Sequence, residues 1–123
     1  MKTKKKLLSI IAILVIVITI TGRNAYPQES QSDIKITRIS ELQNYTDSYI
    51  KGEVIKILDE DEFRLQDNSG KIRVYTGWKN TNLVRKGDKI TVRGTRDPGI
   101  IADFYATEII RENGEKIKLK SDE

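Results

Sequence analysis

The sequence predicts an all-β domain: a small five-stranded barrel with a C-terminal hairpin extension, set behind an apolar N-terminal segment. Two observations carry this prediction. Short stretches in which apolar and polar residues alternate recur between Ser48 and Lys120, the period of strands with one buried face. Turn-forming clusters separate them: Asp59-Glu60-Asp61, Asp67-Asn68-Ser69-Gly70, Lys86-Gly87-Asp88, Asp97-Pro98-Gly99 and Asn113-Gly114. Few helical signals interrupt the series.

In chain order the first element is a leader. Lys2, Lys4, Lys5 and Lys6 precede an apolar run from Leu7 to Ile20, broken only by Ser9 and Thr19. The 14 residues of that run fall short of the roughly 20 that a spanning helix needs. A basic start followed by a short apolar stretch is the pattern of a secretory signal. Thr21, Gly22 and Ala25 supply small residues for cleavage, though Arg23 or Ile20 would occupy the −3 position. Arg23 also stands where a lipidated cysteine would be, which excludes a lipoprotein anchor. Residues 1–25 are thus expected to be a cleaved signal peptide or a retained N-terminal membrane anchor helix. In either case the lysines stay cytoplasmic and the body is extracytoplasmic. Residues 26–35 are polar and form an expected flexible linker, and residues 36–120 are the expected domain.

Ile36, Ile39 and Leu42 share the spacing of a helical face, so Ile34 to Leu42 predicts a short helix or an extended lead-in under the barrel. Ser48 to Leu58 is a long first strand, and Gly52 inside it predicts a bulge or sharp bend. Glu62 to Asp67 is the second, with Phe63 and Leu65 inward and Glu62, Arg64 and Gln66 outward. Lys71 to Thr76 is the third, with Ile72 and Val74 inward and Lys71, Arg73 and Tyr75 outward. Thr81 to Arg85 is an irregular or helical connection. Lys89 to Thr95 is the fourth strand, with Ile90 and Val92 inward. Phe104 to Arg111 is the fifth, and Asn113-Gly114 turns into a hairpin strand, Glu115 to Lys120. A long bent first strand, a tight hairpin, a break and then two more strands is the order of an OB fold; an SH3-like barrel is the alternative architecture.

Composition removes several chemistries. The chain has no Cys and no His, which excludes disulfides, Cys/His zinc sites and Ser-His or Cys-His nucleophile pairs. The formal net charge is +4, but setting aside the four leader lysines leaves 18 basic against 18 acidic residues. The high pI therefore belongs to the leader and does not argue for nucleic-acid binding. Asp59, Glu60, Asp61 and Glu62 are acidic neighbours, yet lack the glycine and distant glutamate of a calcium loop; they are expected to form a solvated turn, and no metal or other cofactor is expected. Asn44-Tyr45-Thr46 matches a glycosylation acceptor. Nothing in the sequence makes a case for an enzyme.

The residues also carry a resemblance. Gly52-x-Val54, Asp61-x-Phe63-x-Leu65-x-Asp67-x-Ser69-Gly70, Ile72-x-Val74, Trp78, Gly87-Asp88-x-Ile90-x-Val92-x-Gly94 and Ile109-Ile110 follow the order and spacing of a known family. From about Thr37 to Glu112 the chain resembles the bacterial OB-fold (BOF) family of periplasmic stress-tolerance proteins. The resemblance implies an OB barrel, export and no catalysis. The family's longer acidic stretch before the tryptophan is here Tyr75-Thr76-Gly77, and its acidic strand-four exit is Thr95-Arg96-Asp97-Pro98, so a cation-binding role is not carried over.

OB barrels bind ligands on the outer face of strands two and three, between the loops joining strands one to two and four to five. The expected ligand face is Arg64, Gln66, Lys71, Arg73 and Tyr75, with Trp78 and Lys79 near its edge and Arg93, Arg96, Phe104 and Tyr105 toward the second loop. Basic groups interleaved with aromatics suit a single-stranded nucleic acid. The plainer expectation is a solvated strand face with Trp78 plugging the barrel end. Three functions follow: an extracytoplasmic binding module of unidentified ligand, a single-stranded nucleic-acid binder, or an accessory that docks on an envelope protein through its exposed strands or the Glu115–Lys120 hairpin.

Overall fold

The computed structural model describes residues 33–122. The expected leader, and the expected linker up to residue 32, lie outside the described residues. Six strands follow a single-turn 3₁₀ helix at Ile39–Glu41: β1 Asp47–Asp59, β2 Glu62–Asp67, β3 Gly70–Tyr75, β4 Lys89–Asp97, β5 Asp103–Arg111 and β6 Lys116–Lys118. The sheet order is β3-β2-β1-β4-β5-β6, and a further β3–β5 pairing closes it. That pairing is parallel and sets Arg73 opposite Asp103, Val74 opposite Phe104 and Tyr75 opposite Tyr105. A meander of three strands, a fourth on the far side of the first and a parallel closure is the OB topology.

The alternation that predicted the strands is the alternation of burial. Ile50 and Val54 of β1, Phe63 and Leu65 of β2, Ile72 and Val74 of β3, Ile90 and Val92 of β4, and Phe104 and Ile109 of β5 fill the barrel interior. Each such side chain contributes roughly 1.5–3 kcal/mol relative to exposure. Ile39, on the 3₁₀ turn, covers one end of this core. Ile36 is not on a shared helical face with it: it makes an isolated bridge to Tyr49 and is largely exposed. The lead-in is therefore extended with one turn of helix. Phe104, expected toward the ligand loop, is core; the strand begins one residue earlier, and the β3–β5 closure turns Phe104 inward beside Val74.

β1 serves two partners, pairing with β4 from Asp47 to Glu53 and with β2 from Glu53 to Asp59. Gly52 lies at that hand-over. A Cβ there would come within 2.2 Å of the Gln66 carbonyl oxygen, so glycine is required for close approach. The irregularities in register fall later, between Val54 and Lys56 and between Ile57 and Asp59; the bulge expected at Gly52 is displaced because crowding, not an extra residue, is what that position manages.

The 81–85 connection is irregular rather than helical. Its anchor is Asn80, one of two buried polar residues among those described. The Asn80 Nδ2 donates to the Thr76 carbonyl (2.8 Å) and to the Lys120 carbonyl (2.8 Å), and its Oδ1 accepts from the Lys120 N–H (2.8 Å). The Thr76 hydroxyl donates to the Asn80 carbonyl (2.7 Å). The segment after β6 is thereby latched across this end of the barrel. β6 is shorter than the expected 115–120 strand because Lys120 bonds to Asn80 instead of continuing the ladder.

Candidate ligand face

The outward residues of β2 and β3 stand where alternation puts them. Arg64 is opposite Arg73, Gln66 opposite Lys71 and Glu62 opposite Tyr75; Lys56, past the irregularity in β1, joins Arg64 on the same face. Of the eleven candidates, the outer side of β2 and β3 brings together Arg64, Gln66, Lys71, Arg73 and Tyr75. Arg64, Gln66 and Lys71 are exposed, and Arg73 and Tyr75 are half-buried.

Closure of the barrel changes what two of these can do. Asp103, first residue of β5, is held beside Arg73 by the parallel pairing. The Arg73 guanidinium donates to it twice, Nε to Oδ1 at 2.5 Å and Nη2 to Oδ2 at 3.0 Å. This fork-to-carboxylate geometry holds the Arg73 pKa above its ordinary value, through the hydrogen bond first and the charge of Asp103 second. The charge of Arg73 is thus compensated in place by Asp103. The same closure stacks the Tyr75 ring edge-on to Tyr105, centroids 5.6 Å apart at 76°. The Tyr75 hydroxyl is pushed up by burial and by the negative field of Asp122, Asp61 and Glu62. The upper part of the face is therefore aromatic with carboxylates around it, and the lower part basic.

Trp78 does not plug the barrel. It is 62% exposed, with the Lys79 ammonium 5.1 Å from its ring centroid. Gly77 explains the geometry: its φ is +94°, and a Cβ there would lie 2.6 Å from the Asp122 carboxylate. The chain turns sharply under the C-terminal segment and ejects Trp78, while Thr76 and Asn80 take the buried positions.

Arg93 and Arg96 are not on this face. Arg93 sits opposite Tyr49 of β1 and Glu108 of β5. Its guanidinium grips Asp47 (Nη2 to Oδ2 2.7 Å, Nε to Oδ2 3.0 Å) and lies 5.5 Å over the Tyr49 ring. Arg96 is at the end of β4, where its guanidinium donates to Asn44 Oδ1 and its carbonyl accepts from the Tyr45 N–H at 2.9 Å. β4 lies two places from β2 across β1, so Arg96 stands at the second loop, as expected, and Arg93 lies further along the strand. Residues missed from the sequence are Lys56 and Asp103. Lys56 was hidden by the irregularity that flips strand parity. Asp103 becomes visible only once the β3–β5 pairing is known.

The acidic turn between β1 and β2 has structural work for its backbone. The Asp61 carbonyl accepts from the Thr76 N–H (2.9 Å) and the Glu60 carbonyl from the Asn82 N–H (2.8 Å), which ties the 76–82 connection beside the face. At the opposite hairpin, burial raises the Asp67 carboxyl, but the Ser69 hydroxyl and the amides of Ile39, Ser69 and Gly70 outweigh it and hold the group below its ordinary value.

No family model matches the chain, and no curated protein matches it. Among solved structures, the hypothetical protein ygiW from E. coli superposes with a TM-score of 0.52 at 20% identity, over 68% of this chain and 90% of that one. At that identity the likeness speaks to architecture, and it agrees with the strand order: the described body of this chain is an OB-fold barrel.

Proposed function

We propose that this protein is a non-catalytic OB binding module that works outside the cytoplasm, with the outer face of β2 and β3 as its ligand surface. The carrying observation is the set Arg64, Gln66, Lys71 and the Tyr75–Tyr105 pair on one continuous outer surface beside an exposed Trp78. Support for export comes from the basic-apolar leader, and support for a role in envelope stress tolerance from the resemblance to the BOF family. Absence of His and Cys leaves few groups suited to catalysis near neutral pH, in keeping with binding alone. Two experiments test the reading. Cell fractionation is expected to recover the body outside the cytoplasm; recovery with cytosolic markers overturns the localisation. Trp78 fluorescence, read against a panel of envelope glycans, peptides and small ligands, is expected to shift for at least one class. A shift unaltered by Arg64→Ala with Lys71→Ala would move the site elsewhere.

A single-stranded nucleic-acid ligand is a second reading, favoured by Lys56, Arg64 and Lys71 on one face. The Arg73–Asp103 pair and the carboxylates around Tyr75 oppose it. It expects salt-sensitive oligonucleotide binding that is lost in the Arg64→Ala, Arg73→Ala double variant and strengthened by Asp103→Asn. No anisotropy change at low salt rejects it.

A further inference from the structure

The loop between β4 and β5 differs from the other short turns between strands, the long 76–88 connection with its Trp78, Leu83 and Val84 set apart. Those short turns are charged or strongly polar: Asp59-Glu60-Asp61-Glu62, Asp67-Asn68-Ser69-Gly70 and Glu112-Asn113-Gly114-Glu115. The β4–β5 loop has Pro98-Gly99-Ile100-Ile101-Ala102 between its strand ends, five residues without a charge. Its tip holds the two most solvent-exposed isoleucines described, Ile100 at 106% and Ile101 at 64%. Isoleucine is a strand residue with no turn-forming chemistry, so the loop's geometry does not ask for it.

Two neighbours fit the same pattern. Tyr45 is 71% exposed and holds a left-handed backbone, φ +58°, uncommon for a side chain of its size. Its N–H donates to the Arg96 carbonyl, which places it at the end of β4 from which the loop departs. The Arg96 guanidinium donates to the neutral Asn44 side chain, whereas Arg73 and Arg93 are each paired with a carboxylate. Asp97, the next residue, accepts from the Gly99 N–H through Oδ1, and Asp103, opposite Asp97 in the ladder, is held by Arg73. This end of the barrel thus presents an aliphatic tip with a tyrosine and an arginine beside it. Aliphatic groups that enter the acyl boundary, with Tyr and a cation at headgroup level, are the composition of a membrane-interface contact.

We propose that the Ile100–Ile101 tip, with Tyr45 and Arg96, seats the barrel on a lipid bilayer surface. A bilayer fits better than a protein partner. The tip projects two side chains, far from the roughly 800 Å² per partner of a specific protein interface, whereas insertion into lipid requires no shape match. Two isoleucines alone give marginal, reversible binding. The contact gains from any tether, because it then becomes intramolecular. The apolar run Leu7–Ile20 supplies one if it is retained, and to that extent the proposal rests on the membrane-directed leader.

The chain has no cysteine, so Ile101→Cys gives a unique site for an environment-sensitive fluorophore in the full chain, and Asn113→Cys in the β5–β6 turn gives a control. Both are mixed with phosphatidylethanolamine–phosphatidylglycerol vesicles carrying a nitroxide quencher on the acyl chain. The expected result is a blue shift and lipid quenching at position 101 and neither at 113. Adding Ile100→Asp should cut the lipid-quenched fraction at 101 about tenfold. Cosedimentation of protein with vesicles reports the leader separately. A chain that sediments with its 101 probe still in water overturns the tip contact while leaving the leader reading intact. A chain that does not sediment overturns the contact and its tether together. A blue shift that depends on protein concentration and needs no vesicles overturns the lipid assignment in favour of a second copy of this chain.

Discussion

Asp67 ties the β2–β3 hairpin to the lead-in segment, and its replacement separates two kinds of contact. Oδ1 accepts from the Ser69 N–H (2.7 Å), the Ser69 hydroxyl (2.6 Å) and the Gly70 N–H (3.0 Å), all local to the turn. Oδ2 accepts from the Ile39 N–H at 2.8 Å, 28 residues away in sequence. Asp67→Asn keeps an oxygen for the three turn donors and turns an NH2 against the Ile39 N–H. One charge-assisted bond is lost and a donor faces a donor. With the site part-exposed, the expected cost is about 1.5–2.5 kcal/mol. Asp67→Ala removes all four acceptor contacts. Water reaches the turn donors, so the cost rises only to about 2–4 kcal/mol. With a urea slope near 1 kcal/mol/M for so small a domain, the Asn variant should move the unfolding midpoint down by about 1.5–2.5 M, read by far-UV circular dichroism.

The pH dependence carries a sign. The Asp67 carboxyl is held below its ordinary value when folded, so its contribution is present above the unfolded pKa and lost as pH falls through the folded pKa. The gap between the wild-type chain and Asp67→Asn should therefore narrow between about pH 5 and about pH 2. An Asn variant within about 0.5 kcal/mol of wild type, or a gap that does not change with pH, would refute the clamp.

Other expectations follow from the same geometry. Gly52→Ala puts a Cβ 2.2 Å from the Gln66 carbonyl oxygen, backbone against backbone, and should cost about 3 kcal/mol or more; Gly114→Ala, with open space but φ +92°, should cost only about 1 kcal/mol, and thermal melts compare the two. Asn80→Ala strands the Lys120 N–H and carbonyl and should destabilise by about 2–3 kcal/mol, with faster amide exchange at Lys120 than at β2 amides. Trp78→Ala should change stability by less than about 0.5 kcal/mol, and wild-type Trp78 should be readily quenched by iodide; a protected tryptophan would restore the plug.

The barrel was legible in the sequence because its information is local. Phe63, Leu65, Ile72, Val74, Ile90 and Val92 alternate with polar residues, and each is buried, since a period of two fixes which face a strand residue takes whatever its neighbours are. Asp67-Asn68-Ser69-Gly70 announced its hairpin for the same reason. What did not show is what barrel closure decides. The burial of Phe104, the place of Asp103 and the engagement of Arg73 all follow from one parallel pairing between strands about 30 residues apart. No local pattern encodes that pairing. Trp78 failed differently: its neighbours Thr76 and Asn80 are polar, and polar residues are not expected to fill a barrel end. They do so because Asn80 bonds to Lys120, 40 residues on, while the Thr76 hydroxyl donates to the carbonyls of Asn80 and Asp61, which makes their burial tolerable.

Barrel closure and the C-terminal latch have a common consequence for function. Closure sets Asp103 beside Arg73 and Tyr105 beside Tyr75, and the C-terminal latch brings Asp122 toward Tyr75. Each adds a carboxylate or an aromatic group to a surface that the strand pattern alone makes basic. A face that seemed suited to phosphate from β2 and β3 in isolation is, in the closed barrel, divided between a basic half at Arg64 and Lys71 and an aromatic, acid-fringed half at Tyr75 and Tyr105. A ligand spanning both halves must carry an anionic group at one end and an apolar or cationic group at the other, whereas a uniform polyanion meets attraction only along the first. Arg64→Ala and Tyr105→Ala should therefore weaken binding of such a ligand by comparable factors. For a polyanion only the first substitution should matter, and that difference, read by Trp78 fluorescence titration, separates the two ligand classes.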